Sequence, residues 1–167
     1  MPEREVAVVM GSDSDLPVVE GTIKLLAEMG VSTEVRVLSA HRTPDEVHAF
    51  ATGARERGIK VIIAAAGGAA HLAGVIASLT TLPVIGLPME TAGFKGMDSL
   101  LSTVQMPSGV PVATVAVGKA GATNAAVLAL QILALADDGL REKLEAYKSA
   151  LVKKVKAKDA DVRSKFE

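Results

Sequence analysis

The chain has 167 residues, with 18 Lys and Arg against 19 Asp and Glu, a balance that supplies no basic field to attract nucleic acid. It is 49% hydrophobic yet only 2% aromatic, so any core must be built from Ala, Val, Leu and Ile. It contains no cysteine, which removes disulfide and thiolate chemistry and suits a cytoplasmic protein.

The length predicts a single domain over 1–167. Its charged amino terminus, Met1-Pro2-Glu3-Arg4-Glu5, does not read as a signal peptide. Val6–Met10 is a short β-branched run, as expected of a strand buried on both faces. Leu16–Met29 carries apolar residues at helical spacing and stops at Gly30. Ser32–Leu38 reads as a second strand. In the next helix Thr43 is placed to cap, Pro44 to take the first turn and Glu46 to close a capping box, with an end near Arg57–Gly58. Lys60–Ala65 is a third buried strand, followed by an Ala-rich helix over Ala69–Leu79. This apolar region is interrupted by Gly67-Gly68 and His71, so it reads as strand, turn and helix and not as a membrane span. Leu82–Leu87, Met97–Val104 and Val112–Val117 continue as strand, helix and strand.

Short apolar strands alternating with helices predict an α/β fold, a three-layer αβα sandwich on a five-stranded parallel sheet. Asn124–Ala136 is apolar on nearly every side, with Val127, Leu128, Leu130, Ile132, Leu133 and Leu135. A helix of that kind needs cover all round, which a partner subunit would provide unless the helix is sandwiched inside the monomer. From about Asp138 a charged helical arm follows, a solvated face or a docking element without chemistry.

Three polar stretches fall where a strand gives way to a helix. Right-handed crossovers bring such turns to one edge of a parallel sheet, where ligands bind. Gly11-Ser12-Asp13-Ser14-Asp15 offers amides and hydroxyls at a helix start, suited to a phosphate, with an aspartate able to accept from sugar hydroxyls. The same residues could serve only as an N-cap. No Walker loop occurs. In Ser39-Ala40-His41-Arg42-Thr43-Pro44, Arg42 suits bidentate phosphate binding and His41 suits proton transfer near neutrality. His48, inside a polar-faced helix, reads as structural. Gly67-Gly68-Ala69-Ala70-His71 offers a surface without side chains for a flat ring, or simply tight strand-to-helix packing. No His, Glu or Asp cluster has metal-ligand spacing, so neither a metal nor another cofactor is expected. The stiff Gln105-Met106-Pro107-Ser108-Gly109-Val110-Pro111 turn could reach a neighbouring pocket or merely connect a helix to a strand.

These motifs, with the Asn124-Ala-Ala helix after them, resemble the 5-(carboxyamino)imidazole ribonucleotide mutase family, in order and at family-like spacing from about Val6 to Tyr147. The resemblance implies a flavodoxin-like sandwich, an octameric assembly and a small ribonucleotide substrate of purine biosynthesis. It implies that Ser12, Asp15 and Arg42 bind the ribose phosphate, that Ser14 and Ser39 assist at the phosphate, and that Asp15 holds the ribose. His41 becomes the general acid/base, and Ala40, Gly67, Ala69, His71 and Leu72 line the base and carboxylate pocket. One departure is Ala73, where the family commonly has Pro after His-Leu; it removes no functional group. The rival readings are the related carboxylase, acting with free carbon dioxide, and a non-catalytic flavodoxin-like binding module. For a receiver domain, His41-Arg42 stands where an acidic cluster is wanted.

Overall fold

A computed structural model describes residues 4–166. The amino-terminal residues Met1–Glu3 and the final Glu167 lie outside it, and with them part of the leader reading and the last residue of the charged arm. The chain divides into two compact units, one ending at Ala129 and the other beginning at Leu130.

In the first unit β1 (Val6–Met10), β2 (Thr33–Val37), β3 (Val61–Ala66), β4 (Val84–Pro88) and β5 (Ala113–Thr114) form a parallel sheet ordered β2-β1-β3-β4-β5. This is the flavodoxin-like order, and strand direction of travel reverses between β1 and β3. β1, β3 and β4 are buried along their whole length. Their side chains alternate between two cores, as strand geometry requires. Ala7, Val9, Ile62, Ala64 and Val84 face one core, shared with α2 (Pro44–Thr52) and α3 (Leu72–Leu79). On the opposite side α1 (Leu16–Glu28) is tied to α5 (Gly118–Leu133) where Thr22 Oγ1 donates to the Ala122 carbonyl at 2.8 Å. The core shared with α2 and α3 is aliphatic apart from Phe50, as the composition dictates.

The elements differ from expectation at several ends. β2 is one of the two sheet edges, with Val35 and Val37 exposed, so it does not share the burial of the central strands. The capping box on α2 does not form. The Thr43 hydroxyl instead accepts from the Ser39 N–H at 2.9 Å and donates to the Ser39 carbonyl at 3.1 Å, closing the turn before the helix. α2 ends at Thr52, several residues before Arg57, and two turns intervene before β3. α3 starts at Leu72 and not Ala69, because Gly68 has φ +69° and breaks the helical path. Ala73 sits buried in its first turn, so the absent proline leaves the start of α3 intact. α4 (Met97–Val104) matches its predicted span.

β5 shrinks to two residues, after which Val115 N–H still bonds the Gly86 carbonyl at 3.0 Å and the chain leaves the sheet. α5 begins at Gly118, six residues before the predicted start. Within this added stretch a Cβ at Gly121 would meet the Ala116 carbonyl and lie 2.7 Å from Leu87 Cδ1. Glycine is there to let the helix approach β4, not to end it. The carboxyl end of α5 also stops early, at Leu133, leaving Leu135 exposed in a turn.

In the second unit α6 (Asp138–Arg163) is the charged helix expected from 138. Asp137 caps it, its carboxylate accepting the Leu140 N–H at 2.9 Å, and ion pairs such as Arg141 to Asp138 at 2.8 Å line its surface. No helix of the described residues is long and apolar enough to cross a membrane.

Candidate active site

A cleft of about 480 Å³ opens at the carboxyl edge of the sheet, over the ends of β1, β2, β3 and β4. Backbone bonds hold these ends level: Gly11 N–H to the Ala65 carbonyl at 3.0 Å, Leu38 N–H to the Met10 carbonyl at 2.9 Å, and Met89 N–H to the Ala66 carbonyl at 2.9 Å. The turns that follow each strand therefore converge. Ser12, Ser14, Asp15, Ser39, Ala40, His41, Arg42, Gly67, Ala69, His71 and Leu72, singled out from the sequence, all line this cleft. His48 does not; it is exposed on α2.

The β1 turn is a single 3₁₀ turn, Asp13–Asp15, leading into α1. Ser12 Oγ accepts both the Ser14 N–H at 3.3 Å and the Ser14 hydroxyl at 2.8 Å. Ser12 is thus the cap, and Asp15 makes no side-chain cap bond to α1. The Asp15 carboxylate is left to the cleft. Partial burial, and then the neighbouring Asp13 carboxylate, hold it above the usual carboxylate range.

That shift carries a stability consequence of definite sign. Below the ordinary value of 3.8 the carboxyl is protonated folded and unfolded alike, so it costs nothing. As pH rises through the raised folded value, the native state must hold an ionised, partly desolvated group that the unfolded chain solvates freely. Asp15→Asn should therefore melt at a higher temperature than the parent at neutral pH, with the difference closing in acid. Calorimetric melts across the pH range check it; a variant less stable at neutral pH contradicts it.

The β2 turn is held by the Ser39–Thr43 ring already described. Within it Arg42 Nη2 donates to the Gly11 carbonyl at 2.8 Å and Nε donates to Ser39 Oγ at 3.3 Å. The guanidinium is thereby fixed beside the Ser12 turn, and Nη1 has no partner among the described residues. Three sources of N–H and O–H donors, Arg42, Ser12 and Ser14, meet at one corner, with a helix amino terminus behind them. That corner suits a doubly charged oxyanion.

Across the cleft His41 Nε2 lies 2.7 Å from His71 Nδ1, the rings edge to face at 82°. A contact of this length holds one proton, so one ring donates there and the other presents its lone pair. His41 is exposed on its turn, and His71 stands immediately before α3. Beside them Gly67 and Ala69 present almost no side chain. A Cβ added to Gly67 would lie 3.4 Å from Met89 Cβ and 3.6 Å from Thr91 Cγ2, so the wall is closely backed. Among the described residues no group of three or more His, Cys, Asp or Glu is arranged to hold a metal ion.

Residues 5–154 match the family model described as AIR carboxylase. The chain belongs to the AIR carboxylase family. It is 55% identical over 153 residues to a protein of Pyrococcus horikoshii named N5-carboxyaminoimidazole ribonucleotide mutase, spanning 92% of this chain and 85% of the relative. A Bacillus subtilis protein of the same name is 57% identical over 140 residues, 84% of this chain and 86% of its own. The crystal structure of Treponema denticola PurE superposes with a TM-score of 0.84 at 28% identity, covering 93% of this chain and 96% of that one.

This AIR carboxylase family member also lines its cleft with residues that sequence reasoning passed over: Met89, Glu90 and Thr91, after β4. The signal was available, since a fourth strand end lies on the same edge. It went unused because Met89-Glu90-Thr91 carries no histidine, arginine or glycine pair. The Gln105–Pro111 segment is partly held within its own chain. Met106 packs over α3 at Gly74, where a Cβ would fall 2.9 Å from its sulfur, while Pro107, Ser108 and Gly109 stay exposed.

Proposed function

We propose that this cleft carries out the mutase reaction of purine biosynthesis, moving a carboxylate from the exocyclic nitrogen of 5-carboxyamino-1-(5-phosphoribosyl)imidazole to the adjacent ring carbon. The observation that carries the reading is the pairing, in one cleft, of an anion corner at Arg42 and Ser12 with a His41–His71 contact against a bare Gly/Ala wall. The names of the relatives point the same way.

In this reading Arg42, Ser12 and Ser14 hold the phosphate, Ser39 steadies Arg42, and Asp15 accepts from the ribose hydroxyls. Ala40, Ala69 and Leu72 flank the imidazole, and Gly67 and His71 face the carboxylate. His41 delivers a proton to the carbamate nitrogen. The carbon–nitrogen bond breaks with its electron pair returning to nitrogen, and carbon dioxide is released into a small dry space. The electron-rich ring carbon attacks it, and His41 recovers the proton left on that carbon. One imidazole serves both steps, and the cycle balances with no cofactor. The protein works as a single mutase domain with a helical arm, in a homo-octamer. Support for assembly comes from apolar side chains open to solvent: Leu135 is 87% exposed, and Phe94, Met97, Leu101 and Val104 are exposed on and beside α4.

The family's own description keeps one alternative in play, carboxylation of the unsubstituted aminoimidazole by free carbon dioxide. Turnover in ¹³C-bicarbonate separates them. The mutase converts the carbamate without taking up label and leaves the unsubstituted ring untouched. Product formed only from the unsubstituted ring, and fully labelled, overturns the reading. Light scattering on the same active preparation reads the assembly.

A further inference from the structure

The bare wall of the cleft is not self-supporting. Gly68 has φ +69°, its carbonyl accepts the Ala70 N–H at 2.9 Å, and it sits between β3 and α3 where the chain has left the sheet but not yet entered the helix. Its N–H is accepted by Ser99 Oγ at 2.9 Å. Ser99 lies on α4, 31 residues away in sequence, and is fully buried. Ser102, one turn on, also reaches the Gly68 carbonyl, at 3.2 Å, but its single proton has a closer acceptor in the Asp98 carbonyl at 2.5 Å. The tie to Ser99 is therefore the stronger one.

The residue before Ser99 holds the other side of the same wall. The Thr91 hydroxyl donates to Asp98 Oδ1 at 2.7 Å, and Thr91 accepts the Gly96 N–H at 3.3 Å. Gly67 lies between these anchors, with a Cβ there falling 3.9 Å from Ser99 Oγ and 3.6 Å from Thr91 Cγ2. Two adjacent side chains at the start of α4 thus lock the turns after β3 and β4 together. Neither Asp98 nor Ser99 lines the cleft.

We infer that Ser99 is a positioning residue, whose hydroxyl fixes the Gly68 peptide and so keeps the wall of Gly67 and Ala69, on either side of it, closed around the carbon dioxide released during turnover. This rests on the mutase reading above. A buried hydroxyl that served only packing would be replaceable by a methyl at no cost to the reaction. One that aims a backbone wall loses the reaction geometry when it is removed, while the phosphate corner, on the turns after β1 and β2, keeps its hold on substrate.

The experiment compares the parent, Ser99→Ala and Thr103→Val in ¹³C-bicarbonate. Thr103 is a second buried hydroxyl on α4, donating to the Ser99 carbonyl at 2.7 Å without touching Gly68, so it reports general damage to the helix. For Ser99→Ala, kcat should fall roughly tenfold to a hundredfold, as for a reacting group displaced by a fraction of an ångström, while KM stays within about twofold. Its product should gain solution label, because escaping carbon dioxide exchanges. Thr103→Val should retain the parent's kcat and its unlabelled product. Ser99→Cys, which keeps a weak acceptor, should lie between, and it replaces the alanine variant if that one does not fold. Parental kcat and retention in Ser99→Ala, or the same losses in Thr103→Val, overturn the inference. If the parent itself takes up label, the mutase reading falls, and the kcat loss at steady KM still decides the role of Ser99.

Discussion

Replacing His41 by Asn should lower turnover about a thousandfold while substrate still binds. General acid/base catalysis contributes about 10²–10⁴ to a rate, and here one ring is asked to serve at both ends of the reaction, so the loss should sit well inside that range. Asparagine is too short to reach His71 Nδ1 as His41 Nε2 does, but its amide leaves the phosphate corner at Arg42 and Ser12 untouched. It cannot take up and release a proton near neutrality. Steady-state turnover with calorimetric binding makes the comparison, and a variant that turns over near the parental rate removes His41 from the chemistry.

The second large effect is on binding. Arg42→Ala should weaken affinity for the nucleotide at least about a hundredfold, since a guanidinium clamped on a phosphate contributes two hydrogen bonds to a charged group at about 1.5–3 kcal/mol each. Arg42 is exposed, so the thermal melt should hardly move even though its bonds to the Gly11 carbonyl and Ser39 Oγ are lost. The dephosphorylated nucleoside provides the control. It should bind weakly to parent and variant alike, and an equal loss for nucleoside and nucleotide would show that Arg42 does not hold the phosphate.

The central strands and the converging turns were legible because both follow from local rules. Val6–Met10 and Val61–Ala66 are continuous apolar runs too short for helices, and a parallel sheet sends every βα turn to one edge. What escaped depended on distant partners. Thr43 looks like a helix cap until Ser39 competes for its hydroxyl. The first turns of α5, from Gly118, were missed because the close approach of Gly121 to Leu87 on β4 is a tertiary contact. Thr91 carries no chemistry recognisable by type, and Ser99 is one serine among several until Gly68 comes within reach across the fold. The place of β2 at an edge was not legible either, since strand order is set by pairing with β1 and not by the strand's own residues.

The strand order also sets a timetable. β1 pairs with β2 on one side and β3 on the other, and the β3 partners of Val6–Met10 run from Val61 to Ala65. During synthesis β1 is therefore complete long before its second neighbour exists, and for that interval a run of five uninterrupted apolar residues has one unpaired edge. Such a segment is prone to self-association, and pairing across that much chain is slow compared with forming a helix. Until β3 docks, His71 has no place beside His41, so the earliest-made strand spends the nascent chain's most vulnerable period waiting for the half of the cleft that follows it.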